Sequence, residues 1–310
     1  MAGRPALRVA SPGSGPQTLT RRTKPVASGS PQDGMTPRTL LISSRNSAYQ
    51  VLESLRSNRQ KRHRTRTFLV EGVQPITRAL AHGWEFEAVI HAQEAPLSAW
   101  ATEVVVRCGA PIRYELTPDL MGGLSGKTNP SELLAVIRMA ADDVARLPVG
   151  RNLLALVLDT PSNPGNLGTI LRSCDALGAD GVIVTGHAVD VYDPATITAS
   201  RGSLFALPVV RLDSPAAVAR WVAAARQAIG ECVIVGADEK GTTELSAHDF
   251  DPATVVLLGN EARGLGQAYR EMCDTLVRIP MSGSASSLNV SVAASIMLYE
   301  ASRQRRAASA

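Results

Sequence analysis

Short, continuous apolar runs alternate with helical patterns along the second half of the chain. Six such runs predict strands, at residues 153–158, 182–184, 207–211, 232–235, 255–258 and 276–279. Uninterrupted apolar strands are typical of parallel sheets that helices cover on both faces. A long helix is predicted over 288–303. The second half is therefore predicted to be an α/β domain with a parallel sheet.

A smaller α/β unit precedes this domain. Strands are predicted at 67–70, 86–90, 112–115 and 133–139, and helices at 73–82, 96–107 and 117–121. This alternation predicts a largely parallel sheet. A polar segment at 141–151 is the predicted linker, so the two domains are expected at 44–140 and 152–306.

The first 43 residues are predicted to form a disordered tail. Pro, Gly, Ser, Thr and Arg dominate there, and apolar periodicity is absent. Translation could start at Met1 or at Met35, and the sequence leaves both starts open.

Positive charge is concentrated at the beginning of the chain. The formal net charge is +4, but residues 1–66 hold 13 Lys and Arg against two acidic residues, a local charge of +11 that leaves −7 for the remainder. A basic end on an otherwise acidic protein indicates contact with a polyanion. A helical pattern from residue 44 runs into the basic segment 57–66, which is either a solvated helix end or an RNA contact. The candidates for RNA contact are Arg59, Lys61, Arg62 and Arg64.

Several classes of protein are excluded. The four cysteines are scattered without a CxxC pattern or a paired His, which argues against a zinc site or disulfide framework and favours a reducing cytoplasm. No uncharged apolar run reaches 18 residues, so no transmembrane helix is expected. The segment GGLSGKT lacks the first glycine of a phosphate-binding Walker A loop because Met121 stands there, although Lys127 remains a candidate phosphate contact.

Three segments place polar residues after the ends of predicted strands: NPGNLGTILRSCDALG (163–178), LLGNEARGLG (257–266) and IPMSGSASSLNVSVA (279–293). They are called motifs one, two and three below. Open α/β sheets bind ligands at the carboxyl ends of their strands. Taken singly, Asn166, Ser287 and Asn289 could be helix caps, Glu261 an acid at a helix start, and Arg172 a surface ion-pair partner. The combination of the three motifs indicates a site.

In this order and spacing, the three motifs resemble those of the SpoU/TrmH branch of the SPOUT RNA methyltransferases. That family transfers a methyl group from S-adenosylmethionine (SAM) to a ribose 2′-hydroxyl. The resemblance runs from about residue 44 to 305, and GHAVDVYDP and FLVEGVQPI are similar to antibiotic-resistance members that act on 23S rRNA. It implies an N-terminal ribosomal-protein-like α/β RNA-binding domain, a C-terminal SPOUT domain with a trefoil knot, and a homodimer. It implies no metal.

The resemblance also implies roles for individual residues. The implied catalytic residues are Arg172, Asn166, Glu261, Ser287 and Asn289. The implied SAM-binding residues are Leu258, Gly259, Asn260, Ile279, Met281, Ser287, Leu288 and Asn289. Arg201 is a further candidate RNA contact, because the family often has an Arg where Thr198 stands and Arg201 follows three residues later.

The role of Arg172 and the RNA substrate stay open. Arginine is normally not deprotonated in proteins, so Arg172 is either the base of the family proposal or a group that orients phosphate and stabilises the developing alkoxide. The substrate is expected to be 23S rRNA, because the compared tRNA enzymes lack this kind of first domain. The alternatives are a tRNA guanosine 2′-O-methyltransferase and a non-catalytic RNA-binding or ribosome-assembly factor. The presence of Arg172, Glu261 and Asn289 argues against a non-catalytic protein.

Overall fold

The computed structural model describes residues 37–308, so most of the expected tail lies outside the described residues. The first domain consists of β1 (Arg38–Ile42), α1 (Ser47–Ser57), α2 (Arg59–Thr65), β2 (Thr67–Glu71), α3 (Val73–Ala81), β3 (Phe86–Ala92), α4 (Ala99–Arg107), β4 (Ile112–Leu116), α5 (Pro118–Leu124) and β5 (Leu133–Arg138). The strand order is β1-β4-β3-β5-β2. β5 pairs antiparallel with both of its neighbours, whereas the other pairs are parallel. The prediction of a largely parallel sheet therefore holds for every strand except β5.

The predicted end of the tail at residue 43 is wrong. Residues 38–42 form β1, which pairs with β4 over five residues. Ile42 is buried whereas Leu41 is exposed. An edge strand with one buried face carries only a short apolar signal, and a Pro- and Arg-rich stretch precedes it in the sequence.

The basic segment forms two helices rather than the single predicted one. Asn58 ends α1, where its N–H donates to the Ser54 carbonyl, and it also begins α2, where its side-chain oxygen accepts from the Lys61 N–H at 3.0 Å. Asparagine is a favoured N-cap residue. The break allows α2 to turn one of its arginines inward.

The second domain consists of β6 (Leu154–Asp159), α6 (Pro164–Leu177), β7 (Gly181–Thr185), α7 (Pro194–Ser200), α8 (Ser203–Ala206), β8 (Val209–Leu212), α9 (Pro215–Ile229), β9 (Val233–Ala237), β10 (Thr243–Glu244), β11 (Thr254–Leu258), α10 (Gln267–Met272), β12 (Thr275–Arg278) and α11 (Val290–Ala308). The strand order is β10-β12-β9-β11-β6-β7-β8, and all pairs are parallel. The predicted parallel sheet is confirmed. The trefoil knot stays a prediction.

Helices cover both faces of this sheet, as its apolar strands require. On one face, Leu167 and Ile170 of α6 pack with Met297 of α11. On the other face, Trp221 of α9 and Tyr269 of α10 form a separate core. Among residues 37–308, no helix combines the length and the apolar character needed to cross a membrane.

The two domains share one hydrophobic core. The ring of Phe68, on β2, lies 4.5 Å from the ring of Tyr192, and Trp84 meets Phe205 edge to face at 5.1 Å. The Trp84 indole N–H donates to the Phe205 carbonyl at 2.9 Å. Aromatic pairs of this geometry add to the energy of area burial. The first domain therefore packs directly on the segment between β7 and β8.

A buried ion pair lies at the same junction, and it corrects the prediction for Arg62. Arg62 is 2% exposed, and its Nε donates to the Asp190 carboxylate at 2.8 Å. Its guanidinium also donates to the carbonyls of Leu55 and Arg56. The prediction that Arg62 contacts RNA is wrong, because its charge is buried and paired within the protein.

Candidate active site

The three motifs meet at the carboxyl edge of the parallel sheet. Motif one follows β6, motif two follows β11 and motif three follows β12. Only β9 lies between β11 and β12, and β11 pairs directly with β6. The topology therefore brings together segments that are about 100 residues apart in the chain, as the carboxyl-edge rule predicts.

Glu261 joins motif two to motif one. Its carboxylate accepts from the Ser162 hydroxyl at 2.7 Å, the Ser162 N–H at 3.2 Å and the Asn163 N–H at 3.3 Å. The side-chain amide of Asn166 donates to the same carboxylate at 3.3 Å. One acidic side chain thus holds together the loops that follow two neighbouring strands.

The ionisation of Glu261 fits this role. Burial raises the pKa of Glu261, but the hydrogen bonds from Ser162, from its own backbone and from Asn166 outweigh burial and hold the pKa below its ordinary value. Hydrogen bonding to the charged form of a carboxyl group favours that form. Glu261 is therefore an ionised acceptor at neutral pH.

Asn289 joins motif three to motif one. Its side-chain amide donates to the Asn166 side-chain oxygen at 3.2 Å. Its own side-chain oxygen accepts from the Ser291 N–H at 2.8 Å and from the Ser291 hydroxyl at 2.7 Å. The side-chain oxygen of Asn289 thus caps the start of α11, and its side-chain nitrogen contacts Asn166 in the site.

The motif-two loop is compact because it contains glycines. A Cβ at Gly259 would overlap the backbone of Gly264 and Leu265. Asn260 and Gly264 exchange two backbone hydrogen bonds, of 3.0 and 2.9 Å, and Gly264 adopts a φ of 67°. A side chain at Gly259 would therefore open the loop.

Motifs two and three line a cavity of about 420 Å³. The walls include seven of the eight residues that the resemblance assigns to SAM: Leu258, Gly259, Asn260, Ile279, Met281, Ser287 and Leu288. Asn289 is not part of the wall, although its neighbour Leu288 is. The structure thus brings the expected cofactor residues to one place.

Arg172 stands apart from this group. It lies on α6, six residues after Asn166 and so about 120° away around the helix axis. Its side chain is exposed, makes no hydrogen bond or ion pair with residues 37–308, and does not line the cavity. Ser287 lines the cavity but is outside the network of Asn166, Glu261 and Asn289. The structure therefore joins three of the five expected catalytic residues.

The candidate RNA contacts are more scattered. Arg59 and Arg64 are exposed, and Arg59 donates to the Ala188 carbonyl at 2.8 Å. Lys61 and Arg64 line an open groove along α1 and α2. Lys127 donates to the Ser131 hydroxyl at 2.9 Å. Arg201 is exposed at the end of α7.

Sequence reasoning missed two residues of the site. Ser162 precedes motif one and gives Glu261 two hydrogen bonds. Asp238 follows β9, is 8% exposed, and forms an ion pair with Arg270 at the cavity. The position of Asp238 after a strand was the available signal, but the placement of β9 between β11 and β12 cannot be derived from chain order.

Within residues 37–308, no group of three or more His, Cys, Asp or Glu side chains could hold a metal ion.

Each of the two domains matches a known protein family. Residues 153–299 match the SpoU rRNA Methylase family, and residues 46–135 match the SpoU L30e-like domain. The 23S rRNA (uridine(2479)-2′-O)-methyltransferase of Streptomyces viridochromogenes is 47% identical over 271 residues, which are 87% of this chain and 94% of the relative. The 23S rRNA (guanosine-2′-O-)-methyltransferase RlmB of Pseudomonas syringae is 34% identical over 229 residues, covering 73% of this chain and 88% of the relative.

Solved structures show the same relationship. The SpoU methyltransferase AviRb of Streptomyces viridochromogenes, in complex with the cofactor AdoMet (SAM), has a TM-score of 0.78 and 47% identity, and the match covers 84% of this chain and 99% of that one. The AdoMet-bound rRNA methyltransferase of Sinorhizobium meliloti has a TM-score of 0.77 and 27% identity, with coverage of 86% and 98%. Both matches extend over the two domains of this chain. This chain therefore belongs to the SpoU rRNA methylase family.

Proposed function

We propose that this protein transfers the methyl group of SAM to a ribose 2′-hydroxyl of 23S rRNA. The observation that carries the proposal is the network of Asn166, Glu261 and Asn289 beside the cavity at the carboxyl edge of the sheet. The Streptomyces relative is named for this reaction on 23S rRNA, and the AviRb structure contains AdoMet.

The cavity fits SAM in size and chemistry. Its volume falls within the range of roughly 300–1,000 Å³ that is usual for small-molecule sites. Leu258 and Ile279 supply apolar surface for a base, and the loop glycines expose backbone groups. Met281 and Leu288 are 39% and 37% exposed at the cavity, and a bound cofactor would cover them.

The residues of this chain must orient the ribose and assist the removal of the proton from its 2′-hydroxyl. Bound SAM supplies the reactive methyl group. We assign the orientation of the motif loops to Asn166, Glu261 and Asn289, and a role at the cavity wall to Ser287. Arg172 either accepts the hydroxyl proton or orients the phosphate and stabilises the alkoxide electrostatically. Its fixed charge favours the electrostatic role, and the proton of the hydroxyl then passes to the substrate phosphate or to solvent.

A second copy of the chain is proposed to complete the site. Arg172 does not line the cavity of its own chain. Val292 and Tyr299 on α11 are 45% and 54% exposed, which leaves apolar surface uncovered beside motif three. Two-fold dimers are the commonest oligomers. Dimerisation through α11 would bury this surface and bring two sets of motifs together.

The proposal is tested by incubating the protein with SAM and 23S rRNA transcribed in vitro, with a metal chelator present, and mapping 2′-O-methylated nucleotides. A single methylated ribose is expected. Methylation of tRNA instead would support the tRNA alternative, and SAM-independent RNA binding without methylation would support a non-catalytic factor. Because ribosomal RNA is the substrate, we expect the protein to act in the cytoplasm.

A further inference from the structure

We propose that Arg78, on α3 of the first domain, binds an RNA backbone phosphate together with Arg201 of the second domain. The proposal rests on the proposed function and extends its substrate site across the domain junction. Arg78 is not part of any of the three motifs, and its sequence context carries no signal for RNA binding.

The two arginines are brought together by a close approach of their backbones. Gly202 has a φ of 94°, and a Cβ there would lie 2.8 Å from Cγ of Arg78 and 3.3 Å from the Gln74 carbonyl oxygen. Only a glycine allows the turn after α7 to pack this closely against α3. Arg201, the preceding residue, therefore lies on the segment that packs against α3 at Arg78.

Neither guanidinium group is paired within the described part of the chain. Each is exposed, and neither side chain makes a hydrogen bond or ion pair with the residues between 37 and 308. Arg201 adopts a left-handed φ of 53° as the residue that ends α7, a conformation in which helices commonly end. Asp175, whose carboxylate accepts from the Ser203 hydroxyl at 2.7 Å, is an acidic residue near the pair, and it forms no ion pair with Arg78 or Arg201. A pair of arginines of this kind suits a phosphate, which guanidinium groups bind in a bidentate manner.

The pair lies beside the face of α6 that carries Arg172. A Cβ at Gly168 would lie 2.5 Å from the Thr196 carbonyl oxygen, so α6 packs against α7 there. Seven residues later, Asp175 contacts α8 through Ser203. Arg172 lies between these contacts on the same side of α6, because residues four and three positions apart share a helix face. Arg172 therefore lies on the side of α6 that faces α7 and α8, the two helices that flank Arg201.

The position of Arg78 is fixed by the domain junction. The buried pair of Arg62 and Asp190 and the contact of Phe68 with Tyr192 hold the first domain in place. A phosphate bound by Arg78 and Arg201 would therefore stand at a set distance from Arg172. The first domain would contribute to placing the target ribose as well as to overall affinity.

The test compares Arg78→Ala with Arg220→Ala. Arg220 is an exposed arginine on α9, which packs on the opposite face of the sheet. Binding of 23S rRNA transcribed in vitro is measured over a range of salt concentrations. Arg78→Ala is expected to weaken binding and to reduce the slope of log affinity against log salt by roughly 0.7–0.9, the value of one phosphate contact. Arg78→Lys should restore the slope, and Arg220→Ala should change neither quantity.

A double variant tests whether the two arginines share a phosphate. The loss of affinity in Arg78→Ala with Arg201→Ala should be smaller than the product of the two single losses, because interacting residues are non-additive. Wild-type affinity and slope in Arg78→Ala would overturn the proposal. A loss of affinity with an unchanged slope would also overturn it, because the role would then be structural. Wild-type protein that binds RNA without methylating it would contradict the proposed function instead and leave the Arg78 comparison intact.

Discussion

The side-chain amide of Asn289 donates to the side-chain oxygen of Asn166 at 3.2 Å, across 123 positions of sequence. The same Asn166 donates to Glu261. Replacing either asparagine removes a hydrogen bond that joins two of the motifs. The site is therefore held together by neutral amides around one carboxylate, and its geometry depends on all three motif loops at once.

Arg172→Ala is expected to lower the rate of methyl transfer by roughly 10²–10⁴, the usual range for a lost acid–base or positioning group. SAM affinity should be unchanged, because Arg172 does not line the cavity. Single-turnover methylation and calorimetric titration with SAM measure the two effects. Full activity in this variant would remove Arg172 from the mechanism, and Arg220→Ala is the control for the loss of a surface arginine.

Glu261→Gln is expected to weaken SAM binding by roughly fivefold, or about 1 kcal/mol, a low value for a hydrogen bond to a charged group because the carboxylate is partly exposed. Because the pKa of Glu261 is depressed, the contribution of its ionised carboxylate to SAM binding is fully present above the ordinary pKa of 4.5. This contribution is lost as the pH falls through the lowered pKa. SAM affinity of the wild type should therefore stay constant from neutral pH down to that range. Glu271→Gln, on the exposed side of α10, is the matched control. Equal SAM affinity of Glu261→Gln and wild type would contradict the role assigned to this carboxylate.

Light scattering should give twice the chain mass at micromolar concentration. Tyr299→Asp should shift the protein towards monomer and lower activity, because it would place a charge in the apolar surface of α11. Val106→Asp is the control, since Val106 is 75% exposed on α4 of the first domain. An active wild-type monomer would rule out the dimeric site.

Replacing Arg59, Lys61 and Arg64 together by Ala is expected to weaken RNA binding and to reduce the salt slope by roughly 2–3, since each phosphate contact contributes about 0.7–0.9. SAM binding should be unaffected, because these residues lie on α2. RNA binding as tight as that of the wild type at low and high salt would place the RNA path elsewhere.

Arg62→Ala should behave differently from its neighbours on α2. Removing one partner of a buried ion pair costs about 3–5 kcal/mol, and the loss of Arg62 would leave the buried Asp190 carboxylate with only His63 and the Tyr192 N–H as partners. Thermal unfolding should show a much lower midpoint for Arg62→Ala than for Arg64→Ala. The double change Arg62→Met with Asp190→Leu should recover only part of the loss, since it removes both buried charges but leaves the buried Tyr192 N–H without the Asp190 carboxylate as its acceptor. Equal midpoints for the two single variants would contradict the buried role of Arg62.

The sequence predicted the parts of the protein that local pattern determines. The apolar strands of the second domain, the helix after motif three and the clustering of the motifs all follow from periodicity and from the carboxyl-edge rule. The burial of Arg62 could not be predicted in this way. Its partner Asp190 lies 128 residues away, and α2 reads as uniformly basic until the fold shows which side faces inward.

Tertiary contacts explain the other differences. The reversal of β5 depends on the return of the chain after α5, which the apolar pattern of residues 133–138 does not encode. Arg78 is a surface arginine in the sequence and acquires its neighbour only because Gly202 packs against α3. In each case the decisive contact joins residues that are distant in the chain.

The aromatic core shared by the two domains limits how the domains can be exchanged between related proteins. Because Phe68 and Trp84 rest on Tyr192 and Phe205, each domain covers apolar surface of the other. A first domain taken from a relative with other side chains at these positions would lose the ring contacts unless the segment between β7 and β8 changed to match. Exchange of domains at the linker is therefore expected to be tolerated only between chains that share these four aromatic residues.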